Sequence, residues 1–388
     1  MRILVLGSGL MGPAAAYNAM SDPDVTGVTL CDADQRQLDS ARAKLGALDG
    51  AKKLTTVVLD LSDREAATEL MAHFDSVVGA LPWGAVTMGI RAAVASGRPM
   101  VDLARPHEAE LPALRREVET AGGLVILGCG VEPGLTEILA RYLAEKLHQV
   151  DEVHIKVGGI PEKPTPPLGY KIVFGGRKLP LKEEDAHIVE NGELKLVPRY
   201  SGVETVSFLG VGEVEGWHEG FMPWLMDLEA LKGLKVGTQK TIRWPGYAEK
   251  ATVLKELGLL SEEPVDVDGV SVSPKSVVDA VLYPRVWLEE GERDLTLFRV
   301  EAIGSKDGVS RHLKVEMVDR YDEKLGFTSM ARTTAFTGGI VARMIARGEL
   351  KARGLLTPEQ VITGPLMERL LAELAELNVR FEETAEEL

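Results

Sequence analysis

The stretch Met1–Met20, "MRILVLGSGLMGPAAAYNAM", decides how the chain is read. Ile3–Leu6 is a short apolar run that suits a buried strand. Gly7-x-Gly9-x-x-Gly12 follows, and an alanine-rich helical stretch begins at Ala14. The first glycine permits a tight turn, the second lets backbone approach a pyrophosphate, and the third lets helix and sheet pack closely. The helix N-terminus then offers free N–H groups and a positive dipole end to phosphate. Pro13 suits the first helical turn, where its missing donor costs nothing. The competing reading is a glycine-rich strand–helix turn with no ligand. The strand before it and the helix after it favour the nucleotide.

Working outward, the pattern repeats. Val25–Cys31, Leu54–Leu59, Ser76–Leu81, Met100–Leu103 and Leu124–Leu127 read as further strands, with helical stretches between them. Ser62 and Glu65 have capping-box spacing at one helix start. Short apolar strands alternating with helices predict the α/β class, here a doubly wound parallel Rossmann sheet. Gly7, Ser8, Gly9, Leu10, Met11 and Gly12 would cradle the phosphates. Asp32, about twenty residues after Gly12, would accept from the adenosine ribose and repel a 2′-phosphate, which favours NAD over NADP. Asp34 reads as a turn or cap residue, and Arg36 as a group that can serve NADP. Asp60 and Leu61 fall where adenine usually lies, with a helix-capping role for Asp60 equally open. Ala80, Leu81 and Pro82 end the fourth strand, and the reactive end of the cofactor is expected to run past them and Trp83.

Bulk properties set the outer limits. At 388 residues, two domains are expected. A net charge of −15 argues against nucleic acid or an anionic membrane as partner. No apolar run approaches the roughly 18 residues of a membrane span. The first apolar run is short and breaks at glycine, unlike a signal peptide. Two cysteines, Cys31 and Cys129, make no disulfide framework, and the seven histidines show no metal spacing. A cytoplasmic enzyme without a metal is the expectation.

Beyond residue 130 the pattern changes. "VHIKVGG", "TLFRVEAIG" and "RHLKVEMVD" are longer, often alternating runs. Asn191-Gly192 and Asp307-Gly308 supply hairpin turns between such runs. A mostly antiparallel or mixed sheet in an α+β domain with one exposed face is expected, and Gly158–Pro167 reads as a rigid surface connection. Near the end, Thr357, Pro358 and Gln360 mark a helix start, and Met367–Leu377 is amphipathic. The division expected is 1–130 with 331–388 for the nucleotide domain, and 131–330 for the substrate domain.

Three places carry chemistry. Asp102, Arg105 and His107 end the fifth strand. Asp102 and His107 are candidate proton acceptors and Arg105 a substrate contact; the other reading is an Asp102–Arg105 surface pair beside a solvated histidine. Glu132, in "GCGVEPGLTEILA", sits on a tight turn ahead of a helix and is the third acid–base candidate. In "KTIRWPGYAEK", Arg243 is a bidentate carboxylate clamp or a solvated strand residue. Tyr247 or Lys250 could reach the substrate with it, and Trp83 could line the same site. His218 reads as a polar lid residue. Cys129 reads as a packing residue, since no base pairs with it.

Taken together, "RILVLGSGLMG", "VTLCDAD", "GCGVEPGLTEILA", "VGGIPEKPTPPLGY", "KTIRWPGYAEK" and "SMARTTAFTGG" resemble the saccharopine dehydrogenase superfamily, and within it the bacterial lysine 6-dehydrogenases. The resemblance covers the whole chain. It implies an NAD-binding Rossmann domain, a second domain over the substrate, and final helices that return to the first. It also implies oxidative deamination of the ε-amine of L-lysine, giving an imine, ammonia and an aldehyde that cyclises to piperideine-6-carboxylate. Asp102 and Glu132 would lie near the amine and Arg243 at the α-carboxylate. "ARPHEAE" after "VDL" departs from the glycine- and histidine-rich stretch of lysine-oxidising relatives. Two other readings stand beside this one: a saccharopine-dehydrogenase-type enzyme acting on a secondary amine, and a non-catalytic NAD-binding sensor. A homo-oligomer, with a dimer favoured, is expected.

Overall fold

The computed structural model describes all 388 residues. The chain divides into two units: residues 1–138, 323–327 and 331–379, and residues 139–322, 328–330 and 380–388. No helix is long and apolar enough to cross a membrane.

The first unit is built on β1 (Arg2–Leu6), β2 (Gly27–Asp32), β3 (Leu54–Val58), β4 (Ser76–Gly79), β5 (Met100–Asp102) and β6 (Leu124–Ile126). A late strand, Gly354–Leu356, joins them beside β6. The spatial order is Gly354–Leu356, β6, β5, β4, β1, β2, β3, all parallel. The strand order reverses between β1 and β4, so the ends of those two strands form the crevice where an open α/β sheet takes its ligand. Helix α1 (Gly12–Ser21) buries Ala14, Ala15, Ala16 and Ala19, whose short side chains let it lie close to the sheet. Asp22 follows it and is fully enclosed. It pairs with Arg343 and Arg347, and Arg343 reaches Glu373 at 2.7 Å, which fastens helices Ser329–Ala346 and Pro365–Glu376 to α1.

Helices α2 (Gln35–Leu45), α3 (Arg64–Met71), α4 (Trp83–Ser96) and α5 (Leu111–Thr120) complete the crossovers. The N-cap of α3 is Asp63, whose carboxylate accepts from the Ala66 N–H, and not Ser62. An aspartate caps as well as a serine, so the motif alone did not choose between adjacent positions.

Helix α6 (Leu135–Glu145) carries the chain into the second unit, whose sheet is mixed. Its strands are β7 (Gln149–Pro161), β8 (Ala186–Glu190), β9 (Glu193–Val197), β10 (Glu204–Phe208), β11 (Gly212–His218), β12 (Val236–Arg243), β15 (Asp294–Lys306) and β16 (Val309–Arg320). A small separate hairpin, β13 (Val265–Val267) and β14 (Val270–Val272), lies between helices α7 (Tyr247–Glu256) and α8 (Pro274–Val286). With Gly354–Leu356 counted as β17, the last strand is β18 (Glu382–Glu387). The main order is β10-β11-β12-β7-β15-β16-β18; β8 pairs with β12 and with β9. Only the β7–β12 pair is parallel. The expected turns form: Asn191 and Gly192, and Asp307 and Gly308, all have positive φ.

Three expectations need correction. Gly158–Pro161 is not part of a loop; it continues β7 and pairs with Asp294–Leu297. Residues 380–388 belong with the second unit and not the nucleotide domain, because Glu382–Glu387 pairs with Arg311–Glu316 of β16. The first crossing lies inside α6, after residue 138, so residues 131–138 stay with the first unit.

Candidate active site

In the first unit the glycine loop is fixed from three sides. The Gly7 N–H donates to Cys31 O at 2.7 Å and the Ala80 N–H to Leu6 O at 2.8 Å. A Cβ on Gly7 would stand 2.4 Å from Ala80 O, and one on Gly12 would stand 1.8 Å from Gly7 O, so neither position takes a side chain. Gly9 differs: a Cβ there meets no protein atom within 4 Å, and the residue is exposed. That space lies over the start of α1, where unpaired helix N–H groups favour an anion. Ser8 Oγ is buried without a partner beside it. The residues present therefore fit a dinucleotide pyrophosphate. Leu10 and Met11 are half-buried on the same loop.

Asp32 is a strut as well as a ribose candidate. Its Oδ2 accepts from the Ser8 N–H at 2.7 Å and its Oδ1 from the Asp34 N–H at 2.9 Å. Asp34 caps α2 and holds the guanidinium of Arg36, which is almost wholly exposed. Asp60 is exposed and accepts from the Ser62 N–H, which holds its carboxyl below the usual range. Leu61, Ala80 and Leu81 are half-buried, and Pro82 and Trp83 are exposed at the start of α4.

The acid–base candidates of this unit separate sharply. Asp102 has no exposed surface. Its Oδ1 accepts from the Ala104 N–H at 2.8 Å, and its Oδ2 has no partner. Burial pushes the carboxyl up to about 8, with the Ala104 N–H pulling the other way. No bond joins it to Arg105 or His107, so the expected cluster does not assemble. Arg105 instead reaches Glu108 at 3.4 Å. His107 is exposed, and its Nδ1 accepts from the Ala109 N–H at 3.2 Å. Of the two, only His107 lies at the surface; Arg105 is half-buried.

Glu132 stands on a loop built to hold one shape. The Gly130 N–H donates to Pro133 O at 2.9 Å, and Leu135 N–H returns to Gly130 O at 3.0 Å. Gly134 has φ +138°, and a Cβ there would lie 2.1 Å from Gly130 O. Glu137, fully buried in the first turn of α6, accepts from the Gly134 N–H at 2.5 Å and from Thr136 Oγ1 at 2.8 Å. Glu132 is half-buried at the tip. The sequence reading missed Glu137; its signal was a carboxylate three residues after a glycine at a helix start.

A protonated Asp102 has a consequence for stability. Between the ordinary carboxyl value of 3.8 and about 8, the folded protein holds a proton that the unfolded chain releases. Stability therefore falls as pH rises through that window, by at most about 1.4 kcal/mol per pH unit. Asp102→Asn removes this slope. Urea unfolding of both proteins at pH 5 and pH 8 checks it, and parallel losses in the two would show that Asp102 is ionised in the fold.

In the second unit, Arg243 ends β12 directly opposite Glu215 of β11. That carboxylate does not neutralise it. Glu215 spends both oxygens on α7, accepting from the Gly246 N–H at 2.8 Å and the Ala248 N–H at 2.7 Å. Arg243 is buried; its Nη1 donates to Ile242 O at 2.8 Å, its Nε has no partner, and no carboxylate is in salt-bridge contact with it; burial raises the Glu219 carboxyl, but Lys182, Arg199 and Arg243 together hold it below its usual range. Aromatic rings take up part of the cost. The guanidinium carbon lies 4.9 Å from the ring centre of Tyr170 and 5.9 Å from that of Tyr247. Tyr247 stacks flat on Trp217 at 5.0 Å, and Tyr200 packs on Trp217 at 6.0 Å. Such contacts offset only about 2 kcal/mol of burying a cation. Lys250 is exposed, and His218 is half-buried, with burial and then Lys240 holding its ring below the usual range. Tyr170, Trp217 and Glu215 were not found from the sequence. Tyr170 lies in an irregular stretch without periodicity, and only the pairing of β11 with β12 brings the other two to Arg243.

Comparison with known proteins covers both units. The saccharopine dehydrogenase NADP binding domain matches residues 3–123, and the saccharopine dehydrogenase C-terminal domain matches residues 130–378. The chain belongs to the saccharopine dehydrogenase family. Carboxynorspermidine synthase of Vibrio cholerae is 25% identical over 409 residues, covering 95% of this chain and 94% of its own. Saccharopine dehydrogenase [NADP(+), L-glutamate-forming] of Schizosaccharomyces pombe is 24% identical and covers 98% of both chains. The apo structure of L-Glu-forming saccharopine dehydrogenase from Saccharomyces cerevisiae shares the fold, with a TM-score of 0.81, 18% identity and 99% coverage of both chains. The family is one of pyridine-nucleotide oxidoreductases, and the stretch that matches its nucleotide-binding domain, residues 3–123, contains the glycine loop. The relatives named here are synthases and dehydrogenases of other substrates, so the narrower likeness to lysine 6-dehydrogenases rests on the motifs alone.

Proposed function

We propose that this protein oxidises the carbon bearing the side-chain amine of an amino acid, with L-lysine at its ε position as the first candidate and NAD as the acceptor. The observation that carries this reading is Arg243: a buried guanidinium, unpaired by the carboxylate opposite it, is organised for an acid brought by the substrate. NAD supplies the hydride acceptor when bound. Ser8 and the N–H groups at the head of α1 would hold its pyrophosphate, and Asp32 its ribose.

A protonated amine cannot release hydride, so the chain must first remove a proton. Glu132 is the group assigned to that step, because it is the half-exposed acid on the rigid turn, whereas Asp102 is sealed and protonated at neutral pH. Arg243 would fix the α-carboxylate, and Tyr247 and Tyr170 would hold the guanidinium in place. Loss of the proton and of hydride leaves an imine, which water splits to ammonia and an aldehyde. The second reading is a secondary amine such as saccharopine, favoured by the name of the Schizosaccharomyces pombe relative.

The test is reduction of NAD or NADP by the pure protein with L-lysine, L-ornithine or saccharopine, followed by absorbance of the reduced cofactor. Lysine-dependent reduction supports the proposal. Reduction by saccharopine alone supports the second reading, and saturable NAD binding without turnover would leave a sensor. NAD is expected to outperform NADP, because the Asp32 carboxylate would face the ribose and repel a 2′-phosphate. Asp32→Ser should narrow that preference by about 10- to 100-fold in the ratio of kcat/KM values, with Arg36 then the nearest cation for the extra phosphate. An unchanged ratio would remove Asp32 from cofactor choice.

A further inference from the structure

Asp34 and Arg36 hold one another at the head of α2, just after the ribose candidate Asp32. Asp34 Oδ1 accepts from the Arg36 backbone N–H at 2.9 Å and from Arg36 Nε at 3.2 Å, and its Oδ2 accepts from Arg36 Nη2 at 3.1 Å. The Asp34 N–H in turn donates to Asp32 Oδ1 at 2.9 Å, which ties the pair to the carboxylate assigned to the ribose. One carboxylate thus takes up both an N–H at a helix start and an arginine fork. Those are two kinds of donor that bind a phosphate. We infer that Asp34 stands in for the 2′-phosphate of NADP, filling that subsite from within the chain and cancelling the charge of Arg36. The inference rests on reading the glycine loop as a dinucleotide site with Asp32 at the ribose.

An aspartate that only capped α2 would need the first of these bonds and not the two to the guanidinium. Those two set the cofactor preference. Bonds from the Arg36 side chain and N–H hold the Asp34 carboxyl below its usual range, so it is an anion at neutral pH. Residues 32–36 then present two carboxylates and a single cation. A ribose hydroxyl meets that surplus as a hydrogen-bond donor, whereas a phosphate monoester meets it with a charge of about −2. To use Arg36, the phosphate must also displace a carboxylate that already has the fork and the N–H. The pair is exposed and adds little to stability, so its effect falls on the ligand and not on the fold.

Asp34→Ser keeps a capping oxygen and removes the charge. The experiment measures dissociation constants of NADH and NADPH by cofactor fluorescence, for the wild type, for Asp34→Ser and for the double variant Asp34→Ser/Arg36→Ala, with a melting curve on each. No amine substrate is needed, so the outcome is independent of the reaction assigned above. Asp34→Ser is expected to tighten NADPH about 10-fold and to change NADH by less than about twofold. The double variant removes both charges and should return NADPH to within about twofold of the wild type. A wild type that binds NADH, with no NADPH gain in Asp34→Ser, would overturn this inference and leave the nucleotide site standing. So would a gain that persists in full in the double variant, since Arg36 would then have had no part in it. A wild type that binds neither cofactor would remove the nucleotide reading, and this inference with it.

Discussion

Arg243→Ala is expected to lower kcat/KM for the amino-acid substrate by about 30- to 5,000-fold, the range for truncating one side of a buried, hydrogen-bonded charge pair at about 2–5 kcal/mol. The change should appear chiefly in KM, because the carboxylate is held alike in the ground state and the transition state. Arg243→Lys should recover only a fraction. It restores charge, but it loses the fork that matches two oxygens and the flat face that rests on Tyr170. The fold should survive, since no carboxylate is in salt-bridge contact with the arginine and Glu219, which it helps hold, keeps Lys182 and Arg199. Steady-state kinetics with a melting curve on the same sample decide the point. A loss of kcat/KM below threefold in a well-folded variant would place the substrate acid elsewhere.

Glu132→Gln is expected to act on the other kinetic parameter, lowering kcat by about 10²- to 10⁴-fold, the usual contribution of a positioned proton acceptor. Glutamine keeps the size and hydrogen-bonding reach of the side chain, so KM should change little. The turn should hold its shape because bonds through Gly130, Gly134 and Glu137 fix it. Raising the pH should rescue part of the loss, since the amine then arrives already deprotonated. A kcat that falls less than tenfold would hand the proton to another group. Asp102→Asn gives the useful contrast: the same chemical change at a sealed carboxyl is expected to alter the pH dependence of stability far more than turnover.

Legibility from the sequence followed locality. The six early strands, the glycine loop and the two hairpin turns could be read because strand period, turn residues and helix caps are encoded within a few positions. Gly354–Leu356 could not, because three residues carry no period and become a strand only by lying beside β6. Glu382–Glu387 is polar throughout and exposed, and only the free edge of β16 makes it extended. The site divides the same way. Asp32 and Arg243 stand in recognisable contexts. Their actual partners do not, because the sequence shows that Glu215 is a strand carboxylate but not that α7 has taken both its oxygens. Asp102 was legible as an acid at a strand end, while its burial, which decides its protonation, is a property of the packed unit.

The late strand beside β6 also orders events during synthesis. The nucleotide unit draws on residues 331–379 as well as on the first 138, so its sheet lacks an edge and α1 lacks its arginine partners until nearly the whole chain has emerged. At about 5–20 residues per second, a ribosome needs many seconds to cover the intervening stretch. The second unit, largely continuous, is made within that interval. The nucleotide unit is begun first and waits for almost the whole chain, with only the edge strand β18 of the second unit still to follow.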